Sequence, residues 1–424
     1  MLRIKRARLN NLFDIRFSQF NHVVREYHLN SIWIPSLLEL REGRNELYYA
    51  LRLYGTTVAG GAAGMGVVFQ MTHEAGGWVL GPILTFPGST TGFDSQAPVA
   101  FGPGGLLYGS TVYGGRGRDS CFNGCGVVFS LQPPLNACQA ALCNWIGSPI
   151  YQFASLTDGW GPWGNLTFDQ AGNIYGTTVY GGTGSCYGTG CGTVFQLTRS
   201  GNTWTKTTLY NFNSGSFVGP DSGVIVGRSG VLYGTTQAGG LLSRGSVFQL
   251  TPSGSGWTFS EFYNFHNGVN GINDGGAPVG GLVMDAAGNL YGTTSTGGTG
   301  GGGTVFEMSP SGGGWTFSII ANLSGVGVGG PMGNLAFDSA GNLYGTTELD
   351  GAYQYGNVFK LTPSGGQWTY TDLYDFTGGN DGGRPFAGPT LDSSGNIFGT
   401  ATLGPQQGCQ IHGGSCGVVW EITP

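Results

Sequence analysis

A strand-like motif, Leu-Tyr-Gly-Thr-Thr, recurs seven times along this chain of 424 residues. The copies begin at Leu53, Leu107, Ile174, Leu232, Leu290, Leu343 and Ile397. The aromatic residues at the second position lie 54, 67, 58, 58, 53 and 54 residues apart. A repeat of about 50 residues that holds several short strands is typical of a propeller blade, so we expect seven blades.

Each copy lies in a unit of four predicted strands, and residues 278–323 show the pattern most clearly. A first apolar run meets the Leu-Tyr-Gly-Thr-Thr strand through an Asp-x-x-Gly-Asn turn, whose Gly and Asn tolerate positive φ. The third strand has the pattern of Gly303 to Met308, and a fourth begins at tryptophan in six of the seven units, as at Trp257. The sequence therefore predicts an all-β, seven-bladed β-propeller of four-stranded antiparallel blades.

The glycine content raises the alternative of a fibre or a disordered tract, because the chain contains 84 glycines. Collagen needs a strict three-residue period, and disorder needs few aromatic residues. An aromatic content of 13% argues against both. A β-solenoid is the remaining alternative, and the blade-length spacing of the strands favours the propeller over it.

The N-terminal segment offers a way to close the ring. The last unit reaches Pro424 directly after its third strand, whereas residues 15–23 resemble the tryptophan strand of residues 257–265. We therefore expect an N-terminal strand to complete the last blade and cover its edge. Residues 1–44 are interpreted as an atypical segment, with Ile34 to Leu40 as the first strand of blade 1, and residues 45–424 as the seven-repeat propeller.

Charge and hydropathy exclude some classes of function. Charged residues make up only 9% of the chain and the net charge is −6, so the repeats have no basic footprint for nucleic acid. Eight of the 17 Lys and Arg lie in the first 44 residues, which indicates a solvated arm or, as the alternative, an RNA- or membrane-binding arm. No run of about 18 apolar residues occurs, so no membrane-spanning helix is expected.

All eight cysteines fall in local pairs. The pairs are Cys121 with Cys125, Cys138 with Cys143, Cys186 with Cys191, and Cys409 with Cys416. Four local disulfides would imply an oxidising compartment, and the alternative of a zinc site lacks a Cys-x-x-Cys pair. The basic N-terminus has no apolar stretch of a secretory signal. We expect an extracellular or cell-surface protein whose export signal is missing from this chain.

A polar motif, Asp-Gly/Ser-x-x-Pro, recurs on the face of the ring that strand alternation assigns to the long loops. Its copies start at Asp94, Asp158, Asp274 and Asp381. These carboxylates are suited to Ca²⁺ or hydroxyl-rich ligands, and the neighbouring aromatic residues are suited to stacking on sugar rings. The aromatic candidates are Tyr113, Trp160 and Tyr180, with Trp163, Tyr353 and Tyr355 nearby in sequence. The alternative is that each Asp only shapes its own turn.

Evidence for catalysis is sparse. The five histidines fall at unrelated blade positions, and the chain has no Gly-x-Ser-x-Gly, His-Glu-x-x-His or phosphate loop. Two carboxylates from different blades remain able to form a glycosidase or lyase pair. We expect a monomeric binding or scaffold module for a glycan or protein ligand, with no cofactor unless Ca²⁺ binds. The alternative is a carbohydrate-active enzyme on the same scaffold.

Three strand motifs occur in a fixed order: Gly-Asn-Leu-Tyr-Gly-Thr-Thr, Gly-Thr-Val-Phe-Gln-Leu-Thr-Pro-Ser-Gly and Trp-Thr-Phe-Ser-x-Leu-Tyr-Asn-Phe. Together they resemble the bacterial GloVer tandem repeat of choice-of-anchor surface proteins, over roughly residues 53–424. The resemblance implies an exported, often surface-attached protein with varied C-terminal anchors and no assigned biochemical activity. The chain departs from the family pattern at both ends, since it shows neither a signal peptide nor an anchor after Pro424.

Overall fold

The seven Leu-Tyr-Gly-Thr-Thr copies form the second strands of seven successive antiparallel sheets. The computed structural model describes residues 29–33, 40–43, 46–49 and 51–424, with gaps at 75, 89–90, 118–120, 135–144, 187, 214–218, 255, 325–328, 406 and 410–413. Residues up to 49 and residues 407–415 are described by their backbone alone. The sheets are the blades of one seven-bladed β-propeller, which confirms the predicted fold class.

Within a blade, the strands are numbered 1 to 4 in their order across the sheet. Their bounds are Leu29–Trp33, Arg52–Thr57, Val67–Glu74 and Gly77–Thr85 in blade 1; Ala100–Phe101, Leu107–Thr111, Val127–Gln132 and Ile146–Gln152 in blade 2; Thr167–Phe168, Ile174–Thr178, Thr193–Ser200 and Thr203–Asn211 in blade 3; and Ile225–Val226, Leu232–Thr236, Ser246–Ser253 and Gly256–Asn264 in blade 4. They continue as Val283–Met284, Leu290–Thr294, Thr304–Ser311 and Gly314–Asn322 in blade 5; Ala336–Phe337, Leu343–Thr347, Asn357–Ser364 and Gln367–Asp375 in blade 6; and Thr390–Leu391, Ile397–Ala401 and Val418–Ile422 in blade 7.

The remaining elements are small. Two hairpins pair Leu40–Gly43 with Glu46–Tyr49, and Gln407–Cys409 with Gly414–Ser415. Four three-residue 3₁₀ turns lie at Pro103–Gly105, Leu156–Asp158, Arg228–Gly230 and Val269–Gly271. No helix among the described residues is long and apolar enough to cross a membrane.

The glycine of the repeated motif makes room for an aromatic ring of strand 3. A Cβ added to Gly292 would lie 2.5 Å from Cζ of Phe306, closer than real Cβ atoms come to a neighbour. The same geometry relates Gly176 to Phe195, at 2.6 Å. The phenylalanines are fully buried, so the small residue lets a large ring fill the blade interior.

In blades 1, 3, 4 and 6 the first threonine of the motif joins neighbouring blades. Thr177 Oγ1 donates to the carbonyl of Ser222 at 2.8 Å, and Thr346 Oγ1 donates to the carbonyl of Ala387 at 3.0 Å. In both cases strand 2 of one blade is hydrogen-bonded to the backbone just before strand 1 of the next. The equivalent hydroxyls of Ser110, Thr293 and Thr400 are buried without a hydrogen-bond partner among the described residues, so this bond is not common to all seven blades.

The aromatic residue of the motif packs on the tryptophan of strand 4 in the next blade. Ring centroids are 5.7 Å apart for Tyr54 and Trp145, 6.2 Å for Tyr108 and Trp204, 6.2 Å for Tyr175 and Trp257, 5.6 Å for Tyr233 and Trp315, and 5.7 Å for Tyr291 and Trp368. Phe398 of blade 7 makes the same contact with Trp78 of blade 1, at 5.7 Å. Trp78 Nε1 also donates to Glu421 Oε2 at 3.1 Å. These two contacts join the last blade to the first.

The first strand of blade 1 differs from the predicted one. Leu29–Trp33 pairs antiparallel with Arg52–Thr57, upstream of the predicted segment Ile34 to Leu40. The intervening hairpin, which the sequence analysis did not foresee, replaces the usual short turn between strands 1 and 2. The proposed ring-closing residues 15–23 lie outside the described residues. Among the described residues, blade 7 has three strands.

Alternating strand directions separate two faces of the ring. The turn face carries the turns between strands 1 and 2 and between strands 3 and 4. The variable face carries the longer loops between strands 2 and 3 and the connections between blades. Strand 1 is innermost: a Cβ added at Gly333, just before strand 1 of blade 6, would lie 1.9 Å from the backbone nitrogen of Gly388 in blade 7.

Two of the predicted disulfides are present. Cys121 is bonded to Cys125 and Cys186 to Cys191, each pair with Cα atoms 5.1 Å apart. Cys416 is also disulfide-bonded, but the side chain of its predicted partner Cys409 lies outside the described part of the chain. The predicted pair of Cys138 and Cys143 lies outside it entirely. Disulfides in these loops fit an oxidising, non-cytoplasmic compartment.

Candidate functional site

Asp274 anchors the connection between blades 4 and 5. It accepts hydrogen bonds from the Tyr263 hydroxyl at 2.6 Å and from the backbone nitrogens of His266 and Asn267 at 2.8 and 3.0 Å. His266 Nδ1 lies 2.8 Å from the carboxylate, whose side chain is only 4% exposed. Burial raises the pKa of Asp274, but the hydrogen bonds from Tyr263 and His266 outweigh it and hold the pKa below its usual range.

Asp158 and Asp381 occupy the same position in their connections. Each accepts a hydrogen bond from the tyrosine near the end of the preceding strand 4, at 2.9 Å from Tyr151 and 3.0 Å from Tyr374. Asp158 is also paired with Lys206, whose buried ammonium lies 3.0 Å away. These hydrogen bonds are the ones expected if each aspartate only shapes its own turn. Asp158 and Asp381 are therefore not part of the candidate site.

Asp94 is placed differently, and its predicted equivalence with the other three aspartates is wrong. Phe93 pairs with Tyr113 through an isolated bridge, as Trp160 pairs with Tyr180 in the next blade. Asp94 is therefore the counterpart of the residue after Trp160, three positions away from the loop-anchoring aspartates. The spacing between strand 4 and this bridge is the same in both connections, so Thr91 stands at the position of Asp158. The matches of Asp94, Ser95 and Pro98 to the motif produced the false alignment.

Six side chains from blades 2 to 4 gather on the variable face, and we call them the aromatic–acidic cluster. Its members are Phe93, Asp94, Tyr113, Trp160, Tyr180 and Asp221. The rings of Phe93 and Tyr113 are stacked at 5.4 Å, and those of Trp160 and Tyr180 at 4.3 Å with planes 19° apart. The segments that carry the acids lead directly into strand 1, so the cluster lies toward the inner ends of the blades.

The two acids of the cluster have few partners. Burial raises the pKa of Asp94 to about 6, against the hydrogen bond from Gln96 Nε2 at 2.6 Å that lowers it. Burial raises the pKa of Asp221 to about 7, and no described residue forms a hydrogen bond or ion pair with its carboxyl group. A half-buried carboxyl without a partner holds its proton near neutral pH, because desolvation disfavours the charged form.

Electrostatics shows that these groups share one region. Burial raises the pKa of Tyr113, and the charge of Asp94 raises it further. Burial also raises the pKa of Tyr180, with further contributions from Asp221 and from Tyr113. These electrostatic interactions link side chains of blades 2, 3 and 4, so the cluster spans three consecutive blades.

A disulfide loop supports the centre of the cluster. The carbonyl of Cys125 accepts a hydrogen bond from the nitrogen of Gly161, at 3.1 Å, directly after Trp160. Cys121 and Cys125 belong to the hydrophobic core against which Trp160 packs. The indole Nε1 of Trp160 is buried and has no hydrogen-bond partner among the described residues. A buried donor without an acceptor is a group that a ligand can satisfy.

Sequence reasoning found four cluster members, Asp94, Tyr113, Trp160 and Tyr180, and missed Phe93 and Asp221. The signal for Asp221 was its place directly after Pro220, the proline that precedes strand 1 in several blades. Trp163 has no ring contact with the cluster among the described residues. Tyr353 and Tyr355 belong to blade 6, where both are exposed, at 58% and 39%.

The described residues contain no group of three or more His, Cys, Asp or Glu side chains placed to hold a metal ion. The Ca²⁺ expected from the acidic motif also fits the loop-anchoring aspartates poorly, because their oxygens already accept bonds from tyrosine hydroxyls and backbone nitrogens. Among the four aspartates of the Ca²⁺ prediction, only Asp94 accepts no bond from a tyrosine hydroxyl or a backbone nitrogen of the described residues.

Comparison with protein families gives one match. A family model described as the Gloeobacter/Verrucomicrobia repeat matches residues 119–318 and 278–424. This range covers most of the chain and includes five complete repeats of the Leu-Tyr-Gly-Thr-Thr strand. No curated protein matches the chain.

Solved structures with similar folds include several enzymes. A fungal alcohol oxidase of the AA5 family, in complex with copper, is 14% identical over 94% of this chain and 75% of its own, with a TM-score of 0.54. An ancestral enzyme of glycoside hydrolase family GH74 is 12% identical over 92% of this chain and 51% of its own, with a TM-score of 0.53. A PL25 ulvan lyase is 9% identical over 90% of each chain, with a TM-score of 0.50. At such identities the likeness concerns the fold alone.

Proposed function

The chain belongs to the Gloeobacter/Verrucomicrobia repeat family of β-propellers, and we propose that it is an extracellular or cell-surface binding module for a glycan. The observation that carries the proposal is the aromatic–acidic cluster, where two stacked aromatic pairs flank carboxyls that have few or no partners. The disulfides support a location outside the reducing cytoplasm.

The chemistry of the cluster suits a polyhydroxyl ligand. Sugar hydroxyls are both donors and acceptors, so they are able to bond to the Asp94 and Asp221 carboxyls. Aromatic side chains offer apolar surface to the C–H groups of a pyranose ring. A phosphate ligand is disfavoured, because the cluster contains acids and no cation.

Asp221 also favours a second candidate, a carbohydrate-active enzyme. A carboxyl with a pKa of about 7 keeps its proton in about half of the molecules at neutral pH, and so is suited to donate a proton to a glycosidic oxygen. In this hypothesis Asp221 is the general acid, and Asp94, the other acid of the cluster, is the second carboxylate. The two hypotheses share one site and differ in whether bound glycan is cleaved.

A glycan array followed by calorimetry on the oligosaccharides that bind tests the proposal. We expect Asp221→Asn and Trp160→Ala to weaken binding by about tenfold or more, since each removes a direct ligand contact. Tyr353→Ala removes an exposed tyrosine from another blade on the same face and serves as the matched control. Absence of glycan binding, or equal affinity of Trp160→Ala and wild type at unchanged melting temperature, would contradict the proposal.

Product analysis separates the two hypotheses. Incubation of the bound oligosaccharides with wild type should leave them intact if the protein is a binding module. Appearance of shorter products that Asp221→Asn fails to release, while it still binds, would establish the enzyme instead.

A further inference from the structure

A network of hydrogen bonds closes the turn between strands 1 and 2 in blades 3, 5 and 6. The turn aspartate accepts from the hydroxyl of the motif tyrosine at 3.0 Å for Asp169 with Tyr175, 3.2 Å for Asp285 with Tyr291, and 3.1 Å for Asp338 with Tyr344. An asparagine amide of the same turn donates to each aspartate as well. Burial raises the pKa of these aspartates, but the hydrogen bonds outweigh it and hold each pKa low.

Blade 4 departs from this rule. Gly227 stands where the other three blades have aspartate, and it keeps the same backbone bond across the turn, to Val231. The hydroxyl of Tyr233 and the amide of Gln249, which face each other in register, have no hydrogen-bond partner among the described residues. In blade 3 the equivalent amide, Gln196 Nε2, donates to the Tyr175 hydroxyl at 2.9 Å.

These two polar groups line a cleft between blades 4 and 5 on the turn face. Its volume is about 430 Å³, and its other walls include Arg228, Met284 and Trp315. Arg228 is exposed and donates to the carbonyl of Ala286 in blade 5 at 2.5 Å, which places the guanidinium across the blade boundary. The cleft thus combines a cation, two polar groups without protein partners, and an aromatic wall.

Blade 2 shows that loss of the aspartate alone does not create a cleft. Gly102 replaces the aspartate there, but a Cβ added to it would lie 2.6 Å from the ring of Phe168 in the next blade. That ring fills the space, and Tyr108 is only 2% exposed. In blade 4 the ring nearest to a Cβ added at Gly227 is that of Tyr233 in the same blade, at 2.5 Å. Met284 stands where blade 3 has Phe168, and the cleft lies between it and Tyr233.

We propose that the cleft between blades 4 and 5 binds a small organic carboxylate. In three other blades a carboxylate of the chain accepts the tyrosine hydroxyl, and in blade 4 an external carboxylate takes that bond from Tyr233. Arg228 supplies the positive charge, Gln249 Nε2 a second donor, and Trp315 with Met284 the apolar surface for the rest of the ligand. The cleft volume lies in the usual range for small-molecule sites.

Calorimetry or ligand-observed NMR with glucuronate and benzoate tests this proposal, with glucose and inorganic phosphate as comparisons. We expect at least one carboxylate to bind, glucose not to bind at this cleft, and phosphate to bind more weakly. Glucuronate alone would assign a sugar acid, and benzoate alone an apolar acid. Arg228→Ala should weaken binding by about tenfold and Tyr233→Phe by a smaller factor, because charge-assisted hydrogen bonds are the stronger ones.

Arg244→Ala is the matched control, since it removes an exposed cation from the same blade on the variable face. The proposal would be overturned if wild type bound neither carboxylate, or if phosphate bound as tightly as the carboxylates. It would also be overturned if Arg228→Ala bound the carboxylates as tightly as wild type does. The site is independent of the aromatic–acidic cluster, so Trp160→Ala should leave carboxylate binding unchanged. Failure of one proposal is therefore distinguishable from failure of the other.

Discussion

Aspartates in this propeller differ in charge state because their hydrogen-bond donors differ. Asp274 accepts from a tyrosine, a histidine and two backbone nitrogens, and those donors stabilise its charge although it is buried. Asp221 has no described partner, and burial raises its pKa to about 7. The same side chain thus stabilises a loop at one position and holds a proton at another, which no single-residue propensity encodes.

The raised pKa of Asp221 predicts a pH-dependent effect of Asp221→Asn on stability. Its folded pKa of about 7 exceeds the unfolded value of 3.8, so the folded state holds the proton more tightly. The stability that Asp221 contributes is therefore present below about pH 4 and is lost as pH rises toward about 7. The free energy of unfolding of Asp221→Asn relative to wild type should rise over that window, by at most about 4 kcal/mol.

Denaturant unfolding of both proteins at about pH 4 and about pH 7 measures this difference. A pH-independent difference between wild type and variant would show that Asp221 has an ordinary pKa. It would also remove the general-acid argument for the enzyme hypothesis.

Asp274→Asn should have the opposite signature. The side chain of asparagine has one oxygen, so it accepts from fewer of the four donors, and its own amide group faces the donors that are left. We therefore expect the free energy of unfolding to fall by about 2 kcal/mol near neutral pH. Because the folded pKa of Asp274 is depressed, the contribution is present above the unfolded pKa of 3.8 and lost as pH falls below it. Urea unfolding should show the loss shrinking in acid, and a smaller loss for Asp381→Asn, which is less buried.

At the scale of the element, the Leu-Tyr-Gly-Thr-Thr strand is predictable because each of its residues has a repeated partner. The glycine lies under an aromatic ring of strand 3, the tyrosine packs on the next tryptophan, and in blades 1, 3, 4 and 6 the first threonine bonds to the next blade. These contacts recur at blade length, so periodicity alone predicts the strands and their number. A loop residue has no such repeated partner.

Gly292→Ala tests this account of the motif. The added Cβ would lie 2.5 Å from Cζ of the buried Phe306, so we expect a loss of about 1–3 kcal/mol from overpacking. Gly256→Ala, at the start of a fourth strand, is the control, because nothing lies within 4 Å of its added Cβ. Thermal unfolding of both variants decides the matter, and equal melting temperatures would refute the steric role of the glycine.

The limits of sequence reasoning lie in the irregular segments. Asp94 was aligned with the loop-anchoring aspartates because Asp94, Ser95 and Pro98 match the three defined positions of the motif, although hydrogen bonding places it three positions away. Asp221 was passed over because its chemistry depends on burial and on the lack of a donor, which only packing reveals. The carboxylate cleft likewise depends on which residue of the next blade lies beside the turn, which is Phe168 next to Gly102 and Met284 in the cleft of blade 4.

At the scale of the molecule, blade 7 has a less buried third strand than the other blades. Thr193 to Leu197 of blade 3 contains four buried residues of five, whereas Val418 to Ile422 contains one, Trp420. Repeat proteins of this kind need their terminal units covered, since an exposed strand edge invites association.

We propose that residues 15–23 supply that cover, and the register of the other blades makes the hypothesis specific. Phe259 of blade 4 stacks on Tyr210 of blade 3 at 4.0 Å, and Phe262 stacks on Trp315 of blade 5 at 4.9 Å. The aligned residues are Phe17 and Phe20. By the same geometry Phe17 should stack on Tyr374 of blade 6, and Phe20 on Trp78 of blade 1.

A chain that lacks residues 1–24 should therefore unfold at a lower temperature than the full chain and associate more readily, because the blade 7 edge loses its partner. A synthetic peptide of residues 12–26 added in trans should restore the melting temperature, and the same peptide with Phe17→Asp should not. Rescue by the Phe17→Asp peptide would show that the stacking on Tyr374 does not occur. An unchanged melting temperature on truncation would show that the ring is closed without this strand, through the Trp78 contacts with Phe398 and Glu421 alone.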